Sequence, residues 1–551
     1  MRVGICFPSQ PDLTSVGHIV QHLVIGLQGK HEVLVLQDYL GGETYEAPQK
    51  RIISFLNSCD VIFGTMQTSL LKIRNHYGIT TPYCFFLLGD LTRGGIKLKA
   101  MLPHMNYRDR FIVNCKSDLK LLSQYTLSAQ ADVLPLSYDE TKFYRDKHSD
   151  RLLLRDRYGF HQNDKIIIYA GRIKLSKNIH TLLKTFRAIH ELVPQTHLIM
   201  AGVIDEKGGL FNEFGIRPKH FEHSLREQIK RIDIPESNVH LYGHVNSGSL
   251  RDLMSFSDVK INLTLHHDEN FGLAQIEAMA SGLPVIASSW GGLKDTIVDH
   301  QTGFNVDTRM TETGLHVNWL DAVQKALLLL SSPALLEKMR DKAHEHAVKF
   351  NIQHFSLRIQ KIINLATHND EADQSSPEAS RFAEQIWSNI QDKGNSAWYC
   401  PSSSAFSLYA KLFHTYCGTH DRWLENTLPL SDKHLVCLST PALFNSAIQA
   451  IVLDSPFYSF PVKVPPNVLQ GVKLSLTVLQ QHPVITISDL LSSLKDVNNA
   501  TEVCSWMLKS LLIRMSSSSN AKLLTHLSPN ISKAAFLRSA RGAIYTDLVT
   551  N

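Results

Sequence analysis

Apolar and polar positions follow a repeating order along this chain. "RVGICF" is a short apolar run; the loop "PSQPDLTSVG" follows, and then "HIVQHLVIGLQGK", whose apolar residues recur with helical spacing. "HEVLVLQ" is the next strand-like run. Strand, loop, helix and strand in close succession form the βαβ unit of a parallel, doubly wound sheet. The rhythm continues through "RIISFLNSC", "DVIFGTM", "LLKIRNHYG", "YCFFLLG", "RFIVNC", "SDLKLLSQYT" and "ADVLPL". After a charged, helix-like connector, "SDRLLLRDRYGF", it restarts with "KIIIYAG". It then runs through "IHTLLKTFRAIHELV", "THLIMAG", "SLREQIKRI", "NVHLYG", "LRDLMSF", "VKINLTL", "LAQIEAMASG" and "PVIAS". The pattern predicts an α/β architecture of two facing Rossmann-like halves, 1–148 and 149–367, the second closed by three helical segments.

Beyond them the texture changes. The polar run "NDEADQSSPEAS" places a linker over 368–380. Residues 381–551 are rich in Ser and Leu and lack the βαβ rhythm, which predicts a helix-rich accessory domain. Its "VLQGVKLSLTVLQQHPVITISDLLSSLKDVNNATEVCSWMLKSLLIRM" reads as helix, short strand, helix, turn, helix, an order loosely similar to a winged-helix module. The last helix carries only Lys509, so nucleic acid is not the expected partner. Docking of a protein partner or an acceptor, a peripheral membrane contact, or simple packing on the two halves remain as its roles.

Composition narrows this picture modestly. A chain of 551 residues exceeds one hydrophobic core, and 43% apolar with 19% charged residues describes an ordinary soluble protein. A net charge of +5 over that length does not argue for nucleic acid, although anionic small ligands stay open. The eight cysteines form no Cys-x-x-Cys pair and several lie in apolar runs, as expected of buried thiols in a cytoplasmic protein. "MRVGICFPSQ" is too short an apolar run for a signal peptide, and no stretch has the length of a membrane span.

Candidate chemistry gathers at the strand ends of the second half, where two doubly wound domains create a cleft suited to phosphate-bearing ligands. Gly171 and Arg172 follow "KIIIYA", and Lys177 precedes the next helix; two cations near a helix start suit a diphosphate. "HHDENFGLAQIEAMASGLPVIAS" places Glu269 in a loop and Glu277 inside the following helix. The amides of Phe271, Gly272 and Leu273 would open that helix toward the same place, with Gly272 permitting close backbone approach.

These residues resemble the donor site of family 4 glycosyltransferases, retaining enzymes of the GT-B fold, across roughly residues 1–365. The likeness is strongest in "YAGRIKLSKNIHTLLKTF", "HLYGHV", "ENFGLAQIEAMASGLPVIAS" and "TGFNV". It implies a nucleotide diphosphate sugar as donor, a glycan, lipid or protein hydroxyl as acceptor, and no metal or other cofactor. Arg172 and Lys177 would hold the diphosphate, Glu277 the ribose, and Glu269 the sugar hydroxyls, beside Asn270 and the amides of Phe271 to Leu273. His244 and Val245 would lie beside the base. Gly17 in "TSVGH" looks like a remnant of the family's acceptor-side glycine loop, and Ser137 in "LPLSYDETKFY" stands where a glycine is usual. The family's first-domain histidine is replaced by Leu88, followed by Gly89 and Asp90; Asp90 is the candidate substitute.

Two alternatives accompany this reading. A nucleotide-sugar-binding scaffold without catalysis fits Leu88; an epimerase on the same fold would need cleft carboxylates for acid and base work. Elsewhere, plainer readings prevail. His266 and His267 are adjacent on an extended segment and diverge, which favours a surface or cleft-rim position over a metal pair. His414, Cys417 and His420 have ligand-like spacing without a fourth ligand nearby, which favours packing. Gly41 and Gly42 read as a turn.

Overall fold

The protein is described from a computed structural model, which covers residues 1–7, 15–36, 46–89, 91, 94–174, 177–204, 225–227, 229–230, 234–266, 269–311, 314–368, 375–393, 412, 414–417, 435–438, 466–482, 484–509 and 513–516. The first half contains β1 (Arg2–Cys6), β2 (Glu32–Val35), β3 (Val61–Thr65), β4 (Tyr83–Phe86), β5 (Arg110–Val113), the short β6 (Thr126–Leu127) and β7 (Gln130–Val133). All but β6 form a parallel six-stranded sheet in the order β2-β1-β3-β4-β5-β7. Helices α1 (Ser15–Leu27), α2 (Glu46–Ser58), α3 (Thr68–His76), α4 (Ile96–Met101) and α5 (Lys116–Tyr125) lie between the strands. Strands β4 and β5 are buried throughout, which is why they read as continuous apolar runs rather than alternating ones.

Helix α6 (His148–Arg157) leads into the second half. There β8 (Lys165–Ala170), β9 (Thr196–Ala201), β10 (Val239–Gly243), β11 (Val259–Asn262), β12 (Val285–Ser288) and β13 (Gly303–Val306) form a second parallel sheet, in the order β10-β9-β8-β11-β12-β13. The order reverses between β8 and β11, the switch point at which doubly wound sheets open a crevice. The connections carry α7 (Ile179–Leu192), α8 (Ser247–Phe256), α9 (Leu273–Ala280) and α10 (Gly291–Thr296). A hairpin, β14 (Thr308–Thr311) and β15 (Gly314–Val317), precedes α11 (Trp319–Ser331), α12 (Pro333–Ala347) and α13 (Ile352–His368).

The closing helices do not all stay with the second half. Helix α13 crosses to pack on α1, where Ser356 Oγ donates to Gly26 O at 3.3 Å and His31 bonds Gln360 at 2.7 Å. A Cβ at Gly26 would lie 2.9 Å from Ser356 Oγ, so glycine permits the close approach. The two halves also meet through Ser117 at the start of α5. Its N–H and hydroxyl donate to Asp295 Oδ2 at 2.8 and 3.0 Å, and Lys294 Nζ reaches its oxygen at 2.5 Å.

The C-terminal part is tied to this body at several points. Within the polar run expected to be linker, β16 (Glu378–Ala379) pairs antiparallel with β6, and Ser380 N donates to Tyr125 O at 2.9 Å. From α14 (Arg381–Lys393), Trp387 Nε1 donates to Gly94 O at 2.7 Å. Residues 414–417 touch both halves. Gln124 Nε2 of α5 donates to Thr415 Oγ1 at 2.7 Å, while Ser289 Oγ donates to Cys417 O at 3.1 Å and Tyr416 stands edge-on to Trp290 at 4.8 Å. His414 and Cys417 are buried here, in keeping with packing.

The expected order of elements continues with α15 (Pro466–Gln481), β18 (Val484–Thr486), α16 (Ile487–Ser493) and α17 (Ala500–Lys509). Beyond that expectation, β17 (Leu435–Leu438) and β19 (Ile513–Ser516) join β18 in an antiparallel sheet, β18-β17-β19. The central strand thus comes from before the helices. Its four residues, "LVCL", are too short to show a period that separates strand from helix. Gly41, Gly42, Asp90, His267 and His420 lie outside the described residues.

Candidate functional site

Three neighbouring strand tips build one wall of the second-half crevice. Gly171 N donates to Ala201 O at 2.9 Å and Gly202 N to Gly243 O at 2.8 Å, so the exits of β8, β9 and β10 run side by side. A Cβ on Gly202 would fall 1.9 Å from Gly171 O, which only glycine avoids. Arg172 is exposed just past β8, its carbonyl accepting from Tyr169 Oη at 2.9 Å. His244 is exposed and Val245 half-buried, both just past β10.

Across the switch point, the exit of β11 meets the start of α7. Asn178, left-handed at φ 58°, begins α7 and donates from Nδ2 to Leu263 O at 2.8 Å. That bond brings two cations against the "HHDE" loop. Lys177 Nζ donates to Glu269 Oε2 in an ion pair whose side chains are both largely shielded. Lys174 Nζ lies 2.9 Å from His266 Nε2. His266 is buried, not on the surface or rim, because its imidazole sits on Lys174 and its carbonyl accepts from Trp290 Nε1 at 2.9 Å and Glu269 N at 3.1 Å. Lys174 and His266 are 92 positions apart and were not paired by sequence reasoning.

The Phe-Gly turn is shaped by what lies behind it. Gly272 is left-handed at φ 78° in front of α9, and a Cβ there would fall 2.5 Å from Leu293 Cδ2. Phe271 turns its ring into the core, edge-on to Phe350 at 5.7 Å, so only its backbone remains available to the cleft. Leu273, the first residue of α9, is half-buried. Gly292 N donates to Glu269 O at 2.9 Å, and a Cβ on Gly292 would fall 2.2 Å from Asn270 C, which presses the α10 start against the loop. Asn270 Nδ2 donates to Asn114 Oδ1 at 3.1 Å, a direct bond from the candidate site to the first half.

Beneath the loop lies a cation that sequence reasoning missed. Lys260 is central in β11 and buried, and its Nζ donates to Ala170 O, the last residue of β8, at 3.2 Å. Burial lowers its ammonium to about 8, against the pull of Glu277 and Glu269, with Lys177 adding to the fall. Glu277, half-buried on α9, is pushed up to about 7 by desolvation, with Lys260 and then Lys142 holding it down. Lys177 and Lys260 thus act on two carboxylates at one strand crossover, with Arg172 and Lys174 in the segment just past β8. Cations in such excess suit a ligand with more than one negative charge.

On the first half, Gly17 is half-buried in the first turn of α1. One residue on, His18 Nε2 bonds Ser137 O at 2.7 Å, and His22 Nδ1 bonds Ser137 Oγ at 2.5 Å. Burial, then the neighbouring His18, lower His22 to about 4. Ser137 therefore anchors α1 to the segment that crosses between the halves. Leu88 is half-buried just past β4. Among the described residues, no three His, Cys, Asp or Glu side chains gather into a metal-holding group, and no helix is long and apolar enough to cross a membrane.

Residues 150–346 match the model of the family described as "Glycosyl transferases group 1". Over 241 residues the chain is 29% identical to the trehalose synthase of Pyrococcus horikoshii, a match covering 43% of this chain and 52% of that protein. Over 178 residues it is 27% identical to the mannosylfructose-phosphate synthase of Agrobacterium fabrum, covering 31% and 36%. The chain therefore spans about half the length, or less, of these curated relatives. Among solved structures, HepE of Anabaena in complex with UDP superposes with a TM-score of 0.53 at 16% identity, covering 66% of this chain and all of that one. The sucrose-phosphate synthase of Thermosynechococcus elongatus gives 0.50 at 17% identity, covering 66% and 98%. The architecture is GT-B, with two Rossmann-like domains and the C-terminal part added to them.

Proposed function

We propose that this chain is a glycosyltransferase that moves a sugar from a nucleotide diphosphate sugar to an acceptor hydroxyl, with retention at the anomeric carbon. The observation that supports this reading is the Lys177–Glu269 ion pair at the β8/β11 switch point, with Arg172 just past β8 and Glu277 on the helix that follows the Glu269 loop. Arg172 and Lys177 bind the diphosphate and stabilise the charge that grows on it as the glycosidic bond breaks. Glu269 orients the sugar hydroxyls and Glu277 the ribose. The acceptor hydroxyl attacks the face from which the nucleotide departs: the bond from C1 to the phosphate oxygen breaks, a bond from C1 to the acceptor oxygen forms, and the hydroxyl proton passes to the departing phosphate. No metal is required in this scheme, because cationic side chains and the start of α9 supply the positive field. The acceptor is a glycan, lipid or protein hydroxyl, and UDP is the first nucleotide to test because the Anabaena relative binds it.

A direct test incubates the full chain with UDP-, GDP- and ADP-sugars and a panel of acceptors, reading release of nucleoside diphosphate and the configuration of the product. Release with one donor and a retained product supports the proposal. Inversion would remove the same-face mechanism. Leu88, in place of the family's usual histidine, favours a second reading, a nucleotide-sugar-binding scaffold; donor binding without transfer or hydrolysis would decide for it.

A further inference from the structure

We propose that Tyr416, delivered by the C-terminal part, is a positioning residue of the donor site: through Trp290 and Gly291 it backs the loop that carries Glu269. The inference rests on the donor-site reading above and gives the C-terminal part a role in it. That loop is gripped from two sides. On the α7 side, Lys174 Nζ lies 2.9 Å from His266 Nε2, and Lys177 Nζ donates to Glu269 Oε2. On the α10 side, Trp290 Nε1 donates to His266 O and Gly292 N to Glu269 O, each at 2.9 Å. The first grip takes the side chains of His266 and Glu269, and the second takes their carbonyls.

The second grip depends on what stands behind it, and that is Tyr416. Its ring meets the Trp290 indole edge-on at 4.8 Å, and the two residues are 1% and 0% exposed. Gly291 separates the ring from the loop. A Cβ there would fall 2.3 Å from Tyr416 Cε1 and 2.5 Å from Glu269 O, so ring and carbonyl close on one point that only glycine leaves free. Gly291 is also left-handed, at φ 48°, a conformation that favours glycine. The residues flanking Tyr416 are held to both halves. Thr415 Oγ1 accepts from Gln124 Nε2 of α5 at 2.7 Å, and Cys417 O accepts from Ser289 Oγ at 3.1 Å. Without the ring a void opens beside the indole, and the donors to His266 O and Glu269 O lose their backing. Glu269 then keeps its lysine but loses the fixed backbone that aims its carboxylate. Tyr416 acts through that backbone rather than on the ligand.

The experiment uses the full chain with Tyr416→Phe, which keeps the ring, and Tyr416→Leu, which keeps apolar volume without it. Hydrogen exchange in the absence of ligand is read on peptides carrying Glu269 and Gly292, with peptides from β4 and β9 as the check on folding. Tyr416→Leu should speed exchange at Glu269 and Gly292 by about threefold to tenfold and leave the strands unchanged. Tyr416→Phe should match wild type. In a transfer assay with the donor that wild type uses, Tyr416→Leu should lower kcat by a similar factor. Its affinity for UDP in calorimetry should hold, because the proposed contact of Glu269 is to the sugar. Unchanged exchange in Tyr416→Leu, or exchange raised equally across the strands, would overturn the role of Tyr416. So would a loss of UDP affinity in step with turnover. Faster exchange at Glu269 and Gly292 in a chain that binds no sugar nucleotide would overturn the donor-site reading and leave the hold of Tyr416 on the loop standing.

Discussion

The two halves share an architecture, and two of their buried charges are held in opposite ways. In the first, Arg74 and Asp109 are both fully buried and joined by two hydrogen bonds, at 2.6 and 2.8 Å. Asp109 also accepts from Tyr83 N and Asn106 N, and Arg74 also donates to the carbonyls of Thr81 and His104. Geometry satisfies that pair, and it braces β4 and β5. In the second half, Lys260 is buried in β11 and, among the described residues, donates to one carbonyl, Ala170 O, while burial pushes the Glu277 carboxyl of α9 up to about 7. A satisfied buried pair holds a fold; charged groups with shifted titration at the switch point of a sheet mark a place for a ligand.

The largest effect should come from breaking the satisfied pair. Asp109→Ala leaves Arg74 buried without its carboxylate and should cost about 3–5 kcal/mol in urea unfolding. Glu277→Gln should leave the unfolding midpoint nearly unchanged and weaken nucleotide binding instead. Equal losses of stability would erase the contrast between the halves.

Next come the cations at the crevice. Arg172→Ala or Lys177→Ala should weaken nucleoside diphosphate binding by roughly 1.5–3 kcal/mol each while the fold survives. Calorimetry on both variants decides this, and unchanged affinity in both would remove the donor-site assignment.

The pH dependence of stability separates the halves further. Glu277 has its ordinary value of 4.5 raised to about 7, so between these the folded chain holds a proton that the unfolded chain has released. Its contribution to stability is therefore lost as pH rises from 4.5 through about 7. Lys260 falls from 10.5 to about 8, so there the unfolded chain holds the extra proton and stability returns as pH rises from about 8 to 10.5. Thermal scans should show a shallow trough between about pH 7 and 8 from these two groups, with its upper limb absent in Lys260→Met. A smaller effect belongs to Ser137→Gly, which removes the Oγ partner of His22 and should cost about 1 kcal/mol.

Most of the α/β frame was legible because parallel strands buried on both faces leave continuous apolar runs, as in "YCFF" and "KIIIYA". The candidate donor residues were legible because Arg172 and Lys177, and Glu269 and Glu277, are close in sequence. What escaped is set by tertiary contact. Asn114 and Asn270 are 156 positions apart, and nothing local announces their bond. Lys260 is one polar residue in "VKINLTL", and only the strand order places it in the middle of a sheet. Phe271 was assigned by its backbone, and its ring went to the core. The crossing of α13 onto α1 was invisible because an amphipathic helix shows that it has a partner, not which one.

The account turns on the crevice acting on a sugar nucleotide, and Glu269→Ala tests that most directly. A transfer assay with the donor that wild type uses, run beside calorimetry with the bare nucleoside diphosphate, reads the two halves of the ligand separately. In the proposed site Glu269 would face the sugar, and it is paired with Lys177, so its removal should cut turnover sharply. Affinity for the nucleotide should hold or improve, because Lys177 is released toward the phosphates. Full turnover in Glu269→Ala, or a wild-type chain that binds the donor and neither transfers nor hydrolyses it, would contradict the account.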